Sequence, residues 1–320
     1  MPGLESRLNG VWYGKQEPPL VLRLLSRAYR QALHWRGPAN SRKLPVPVVV
    51  VGNFTIGGTG KTPLIVALVE HLKRNGRRPG VVSRGYGRSG KSAHTLDDRS
   101  TAVQSGDEPL LIYRRTQVPV QVDSDRLAAA GRLIGIGCDV IVSDDGLQHR
   151  NLPRHIEIEV YDADRGYGNG RLLPAGPLRE YPRQVDMRVG NGMAYDPHPD
   201  FGMQLQLRSC VRLHDGARRV LSEFSGEPVH AVAGIGNPGR FFKALDAEGI
   251  RIVEHPFPDH HRFQASDLPG GTVLMTEKDA VKCLEFGRTD LWAVPAESKL
   301  SEDFFRAFEE LLDRAGDAHA

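Results

Sequence analysis

Three groups of residues in this chain have the types and spacing that phosphoryl transfer uses. The first is Gly57-Gly58-Thr59-Gly60-Lys61-Thr62, which follows the apolar run Val48-Val49-Val50-Val51. Glycines let backbone N–H groups turn inward on an anion, and a helix opening at the lysine adds partial positive charge. Lys61 is placed to reach β- and γ-phosphates, and the Thr62 hydroxyl is placed to ligate Mg²⁺. The generic pattern has glycine where Thr55 stands, so the candidate nucleotide-binding set is Thr55, Gly57, Gly58, Thr59, Gly60, Lys61 and Thr62. The second group is Asp144-Asp145, just past the apolar residues 140–142. Carboxylates at the end of such a strand are where a nucleotide-binding sheet holds Mg²⁺, and one of the two can instead orient a neighbour. The third group is Asp107, which opens a helix, and the loop Asp259-His260-His261. Asp107 is positioned to accept a proton from an attacking hydroxyl. A carboxylate with an imidazole makes a general base poised nearer neutrality than a lone aspartate.

Rival patterns are present. Gly234-Ile235-Gly236-Asn237-Pro238-Gly239 matches a dinucleotide fingerprint, with Glu254 closing the next strand. A tight strand-to-helix turn needs the same glycines. Thr276-Glu277-Lys278-Asp279 resembles the guanine-reading motif of GTPases, but here the lysine directly precedes the aspartate. Ile56 stands where the deviant loop of dimeric ATPases carries lysine. Arg84, Arg88, Lys91, Arg126, Arg165, Arg171 and Arg179 crowd the loops of the expected active face, which fits an anionic acceptor beside ATP.

The elements that must position these groups alternate strand and helix from residue 45 onward, as in an α/β fold with a parallel sheet. Strands are expected at 46–51, 79–83, 118–122, 140–142 and 157–161, with helices at 63–75, 107–116 and 124–134. Residues 164–183, rich in Gly, Pro and Arg, read as a long functional loop. A hairpin turning at Asp215-Gly216 links to a second unit. There strands are expected at 229–233, 250–254, 272–276 and 291–294, with helices at 240–248, 279–286 and 301–314. The resulting division is an N-terminal helix (1–44), a P-loop NTPase-type parallel-sheet domain (45–202), a β-hairpin linker (203–227) and a smaller C-terminal α/β domain (228–320).

Residues 20–36 have helical periodicity, with Arg23, Arg27, Arg30 and His34 on one stripe and Leu22, Leu25, Tyr29 and Leu33 on a wide apolar face. The arginines make the run too charged for a spanning helix, and no small-residue cleavage site marks a signal peptide. A cationic helix of this kind is the type that lies in a membrane interface, and the alternative is a helix packed on the protein's own core. The 320 residues are 40% hydrophobic and carry a net charge of +3, which excludes a nucleic-acid-binding polycation. Three scattered cysteines, Cys138, Cys210 and Cys283, lack metal-ligand spacing and read as reduced thiols of a cytosolic environment.

Taken in order, these motifs resemble the tetraacyldisaccharide 4′-kinase family, the lipid A 4′-kinases. The resemblance rests on Val51-Gly52-Asn53-Phe54-Thr55-Ile56 leading into the glycine loop, Ser83-Arg84-Gly85-Tyr86-Gly87, Gly106-Asp107-Glu108-Pro109 and Asp144-Asp145-Gly146-Leu147-Gln148-His149. It continues through Gly168-Asn169-Gly170, Leu173-Pro174-Ala175-Gly176-Pro177-Leu178-Arg179-Glu180, Ala233-Gly234-Ile235-Gly236 and Met275-Thr276-Glu277-Lys278-Asp279-Ala280-Val281-Lys282. Thr55, which breaks the generic pattern, is similar to this family's own loop. The resemblance implies transfer of the γ-phosphate of ATP, with Mg²⁺, to the 4′-hydroxyl of a lipid A disaccharide precursor. The implied place is the cytoplasmic face of the inner membrane of a Gram-negative bacterium, peripheral or monotopic, with no nucleic acid and no obligate protein partner. It also implies two α/β/α domains joined by a short β linker, with the nucleotide between them.

By the same resemblance, Lys61 and Thr62 serve the phosphates and metal, Asp144 the metal and Asp145 the catalytic cluster. Asp107 with His260 is the general-base pair, and Gln148, His149, Arg179 and Glu180 line the acceptor site with Arg84 and Arg126. Uniting Asp107 and His260 would then call for domain closure about a hinge near 203–227. A P-loop GTPase or ATPase acting as regulator or metallochaperone is the alternative, and a nicotinamide oxidoreductase using Gly234–Gly239 a distant third.

Overall fold

The computed structural model describes residues 4–14, 16–35, 43–192, 200–226 and 228–317. Arg36, at the end of the expected N-terminal helix, lies outside them. The fold is α/β, with two compact units. One comprises Met1–Lys61, Ser143–Met203 and Leu300–Ala320, the other Thr62–Val142 and Gln204–Lys299.

In the first unit the valine run forms the strand Val48–Gly52, buried along its whole length. A strand covered on both faces has no reason to alternate polar and apolar residues. It pairs in parallel with Ile156–Asp162, Val49 opposite Ile156. That strand pairs in parallel with Met187–Asn191, which pairs in parallel with the start of Phe201–Gln206. Met187–Asn191 was not expected from the sequence, because Arg188 interrupts its apolar pattern. The structure resolves this by pairing a half-buried arginine with a buried carboxylate: Arg188 Nε donates to Glu159 Oε2 at 2.8 Å on the neighbouring strand. The Tyr167 hydroxyl donates to the other oxygen of Glu159 at 2.8 Å. Burial still outweighs both partners and raises the Glu159 pKa. The last helix, Glu302–Asp317, belongs to this unit, with Phe304 meeting Phe201 edge-to-face at 5.5 Å.

In the second unit Pro79–Ser83 pairs in parallel with Val120–Val122, and the helix Arg126–Gly135 packs against both. A six-stranded sheet follows. Its order is Arg218–Val220, Ser209–Arg212, Leu291–Val294, Val273–Thr276, Val229–Ala233, Ile252–Pro256. The last four are mutually parallel and the first two add antiparallel, turning at Asp215-Gly216 as expected. Helix Pro238–Ala247 makes the crossover between Val229–Ala233 and Ile252–Pro256.

The helix expected over 279–286 is not formed. A four-residue turn, Glu277–Ala280, is followed by a 3-10 turn, Leu284–Phe286. Thr276 caps the first turn, and Asp279 turns its carboxylate back to the Thr276 hydroxyl at 2.6 Å. Such local side-chain bonds compete with helix extension. The three cysteines are free and buried. Burial pushes the thiols of Cys210 up to about 11 and Cys283 up to about 12, which rules both out as nucleophiles near neutrality.

Candidate functional site

In the first unit the glycine loop is built as its sequence requires. Gly60 sits at φ +97°, and a Cβ there would lie 2.6 Å from Asn191 Nδ2. That amide donates to the Thr59 carbonyl at 3.0 Å, so the loop is pinned from the unexpected strand Met187–Asn191. Gly57, at φ +114°, and Gly58 have nothing within 4 Å of a built Cβ, and the loop presents open backbone there. Lys61 begins the helix Lys61–Arg74, and Thr62 is its second residue.

Lys61 is only 8% exposed. Its Nζ donates to Asn53 Oδ1 at 3.2 Å and lies 3.4 Å from Asp145 Oδ1. Asp145 Oδ2 accepts from Arg179 Nη1 at 2.6 Å. One carboxylate therefore bridges the loop lysine to the arginine of the Gly-Pro-Leu-Arg-Glu motif. Backbone bonds hold that motif along the loop: Ile56 N donates to Pro177 O at 2.8 Å and Arg179 N to Phe54 O at 2.7 Å. Gln148 Nε2 ties in Glu180 at 3.2 Å and the Asn53 carbonyl at 3.0 Å. The carbonyl of His149 accepts from Arg154 at 2.6 Å. Thr55 is buried and bridges to Leu178. Asp144 is 2% exposed at the end of the strand Val140–Ser143.

The fit to a nucleotide rests on atoms left over. Asn53 Nδ2 and Thr59 Oγ1 are buried and have no hydrogen-bond partner among the described residues. Buried orphans of this kind are rare in native proteins and need a ligand, ion or water to account for them. Asp144 and Thr62 offer hard oxygen donors, the kind Mg²⁺ takes alongside phosphates.

In the second unit Asp107 opens the helix Asp107–Thr116, behind Gly106 at φ +90°. A Cβ on Gly106 would meet the Tyr86 carbonyl at 2.8 Å, so only glycine lets these two segments approach. His260 Nδ1 lies 3.1 Å from Asp107 Oδ2. The pair is thus formed within one unit, where the sequence pointed to closure of two domains. The Tyr86 ring lies 4.8 Å from the imidazole. Lys278 Nζ is 3.4 Å from His260 Nε2, 3.1 Å from Asp259 Oδ1 and 3.1 Å from Glu108 Oε1. Lys282 Nζ is 2.7 Å from Asp279 Oδ1 and 3.8 Å from Asp107 Oδ2. His261 points elsewhere, its Nε2 3.1 Å from Asp267 Oδ2. This separates the two adjacent histidines.

His260 and Asp145 share a further property. They sit at φ +58° and +48°, and the only other non-glycine residue at positive φ among the described residues is Gln117. That conformation costs about 1–2 kcal/mol for an L-residue. Such strain persists where surrounding contacts fix the residue.

Arg84 is exposed just past the strand Pro79–Ser83, and Arg126 is buried in the first turn of its helix. The dinucleotide-like loop is filled from within: Gly234 N donates to Asp279 Oδ2 at 2.8 Å. A carboxylate there occupies the N–H that a pyrophosphate would need. Lys278, Lys282, Asn53 and Tyr86 escaped the sequence reading as functional residues. The signal for the two lysines lies in the Met275–Lys282 motif, which carries the family resemblance without giving either lysine a role.

The Leu20–His34 helix uses its faces differently from expectation. Leu22, Tyr29 and Leu33 are half-buried. Ser26 Oγ donates to Leu172 O at 2.9 Å and the Tyr29 hydroxyl to Arg179 O at 2.8 Å. The exposed apolar residues are Leu20 (66%), Val21, Leu24 and Leu25, with Trp35 at 78%. No helix among the described residues is long and apolar enough to cross a membrane.

A family model described as tetraacyldisaccharide-1-P 4′-kinase matches residues 20–314. The tetraacyldisaccharide 4′-kinase of Stenotrophomonas maltophilia is 48% identical over 336 residues, covering 98% of this chain and 99% of its own length. That of Xanthomonas campestris pv. campestris is 47% identical over 345 residues, covering 98% of each. Among solved structures, the apo form of LpxK from Aquifex aeolicus in complex with ATP is similar at a TM-score of 0.75 and 28% identity. The likeness covers 92% of this chain and 98% of that one.

Proposed function

This chain belongs to the tetraacyldisaccharide-1-P 4′-kinase family, and from that premise we infer that it phosphorylates the 4′-hydroxyl of a tetraacyldisaccharide 1-phosphate with ATP. The observation that carries this is the bridge at Asp145. Its two oxygens hold Lys61 of the phosphate loop and Arg179 of the acceptor motif. A kinase needs its phosphate cradle and its acceptor arginine fixed relative to each other, because catalysis here is mostly positioning and charge stabilisation.

Asp107, held by His260, takes the proton as the 4′-hydroxyl O–H bond breaks. The new O–P bond forms at the γ-phosphorus while the bond to ADP breaks, its electron pair staying on ADP. Lys61 and the loop N–H groups balance the charge on the phosphoryl oxygens. Thr62 and Asp144 would hold Mg²⁺, which when bound neutralises charge on the β- and γ-oxygens. Gln148, His149, Arg179 and Glu180 are assigned to the disaccharide, with Arg84 and Arg126 as further anion contacts. The decisive assay supplies purified protein with labelled ATP, Mg²⁺ and a tetraacyldisaccharide 1-phosphate in detergent. Label on the lipid is the expected result; hydrolysis with none on the lipid would favour a regulatory NTPase instead.

The acceptor is a lipid, and the exposed Leu20, Val21, Leu24, Leu25 and Trp35 supply a reason for the helix to lie in a membrane surface. The proposed location is the cytoplasmic face of a Gram-negative inner membrane. Deleting residues 1–36 should weaken co-flotation with liposomes. Unchanged flotation would leave the helix with its packing role alone.

A further inference from the structure

The geometry points to a positioning role for Lys278: its ammonium fixes the tautomer of His260 and keeps the acceptor's proton on Asp107. This rests on the assignment of Asp107 and His260 as the base pair. An ammonium has donors and no acceptor. With Lys278 Nζ 3.4 Å from Nε2, that ring nitrogen must carry the lone pair. The proton of neutral His260 is then on Nδ1, and it donates to Asp107 Oδ2 at 3.1 Å. His260 Nδ1 and Lys282 Nζ both face Asp107 Oδ2, which leaves Oδ1 as the oxygen to receive a proton.

The alternative, His260 as the base through Nε2, is closed on two counts. Nε2 faces a cation, and protonating it would set two positive charges side by side. Lys278 is firmly cationic. Burial works against its charge, but Glu108 and Asp259 outweigh burial and raise its pKa. The groups facing His260 are Asp107 from the helix, Asp259 from its own loop, Lys278 and the Tyr86 ring, with Glu108 3.1 Å from Lys278 and Lys282 3.8 Å from Asp107. Lys278 sits between the imidazole and two of those carboxylates. Without it, Glu108 and Asp259 would draw a proton onto His260, and an imidazolium beside Asp107 would weaken the aspartate as a base.

Two measurements decide this. Nitrogen-15 NMR of the wild-type imidazole, assigned against His260→Asn, should show the Nδ1–H tautomer; an Nε2–H tautomer would overturn the proposal without recourse to activity. In the kinase assay with the lipid acceptor, Lys278→Met should move the acid limb of kcat upward by about 1 pH unit or more, the scale of a nearby charge. Lys278→Arg should bring the limb back, since arginine is also a pure donor cation. Should Lys278→Met fold poorly with two uncompensated carboxylates, Lys278→Met with Glu108→Gln reduces that imbalance and should still shift the limb. An equal loss of kcat at every pH would mean that Lys278 serves structure alone. No transfer by wild-type enzyme at any pH would instead refute the kinase assignment, with the tautomer still measurable.

Discussion

Asp107→Asn is expected to lower kcat by roughly 10²–10⁴-fold, the range for removing a general base. His260→Asn is expected to cost less. The double variant should be no worse than Asp107→Asn alone. Asparagine is the substitution to use at both sites. It keeps the shape of Asp107 at the first position of its helix. At His260 it tolerates the φ of +58° that alanine would resist, so loss of function is not confused with backbone strain. In the proposed mechanism His260 acts on the hydroxyl only through Asp107, 3.1 Å away, and non-additivity follows. Steady-state kinetics on the three variants test this, and fully multiplicative losses would show that the two side chains act independently.

The sequence exposed what depends on local chemistry and hid what depends on pairing. The phosphate loop and the strand before it were legible because glycines and consecutive valines have few other uses. The helix Asp107–Thr116 and the strand Pro79–Ser83 were placed to the residue, since each begins or ends on a strong signal. Met187–Asn191 was not legible. Its half-buried Arg188 makes sense only opposite Glu159, which is 29 residues away in the chain. The strand nevertheless supplies Asn191, which pins the phosphate loop. The segment after Thr276 misled in the opposite direction. Its apolar spacing reads as helix, but Asp279 spends its carboxylate on Thr276, Gly234 and Lys282. At the site itself, Asp107 and His260 could be nominated from residue type and paired by resemblance. Their 3.1 Å contact within one unit, and the lysine beside them, became visible only where the chain brings 107, 260 and 278 together.

Lys61→Met should lower kcat by roughly 10²–10³-fold, about 2.7–4 kcal/mol of lost charge stabilisation. Its effect should differ in kind from that of Asp107→Asn. Lys61 contacts Asp145 at 3.4 Å, and Asp145 also holds Arg179. Removing the ammonium takes a cationic partner from Asp145 and leaves a carboxylate oxygen facing the anion site. Repulsion of ATP should then raise its KM as well as lower kcat, whereas Asp107→Asn should leave the KM for ATP near the wild-type value. Adding Asp145→Asn to Lys61→Met removes that repulsion and should recover part of the ATP affinity while kcat stays low. The recovery requires the shared carboxylate. If ATP affinity stays as poor in the double variant as in Lys61→Met, Asp145 does not couple the two halves of the site, and the bridge from Lys61 to Arg179 has no functional meaning.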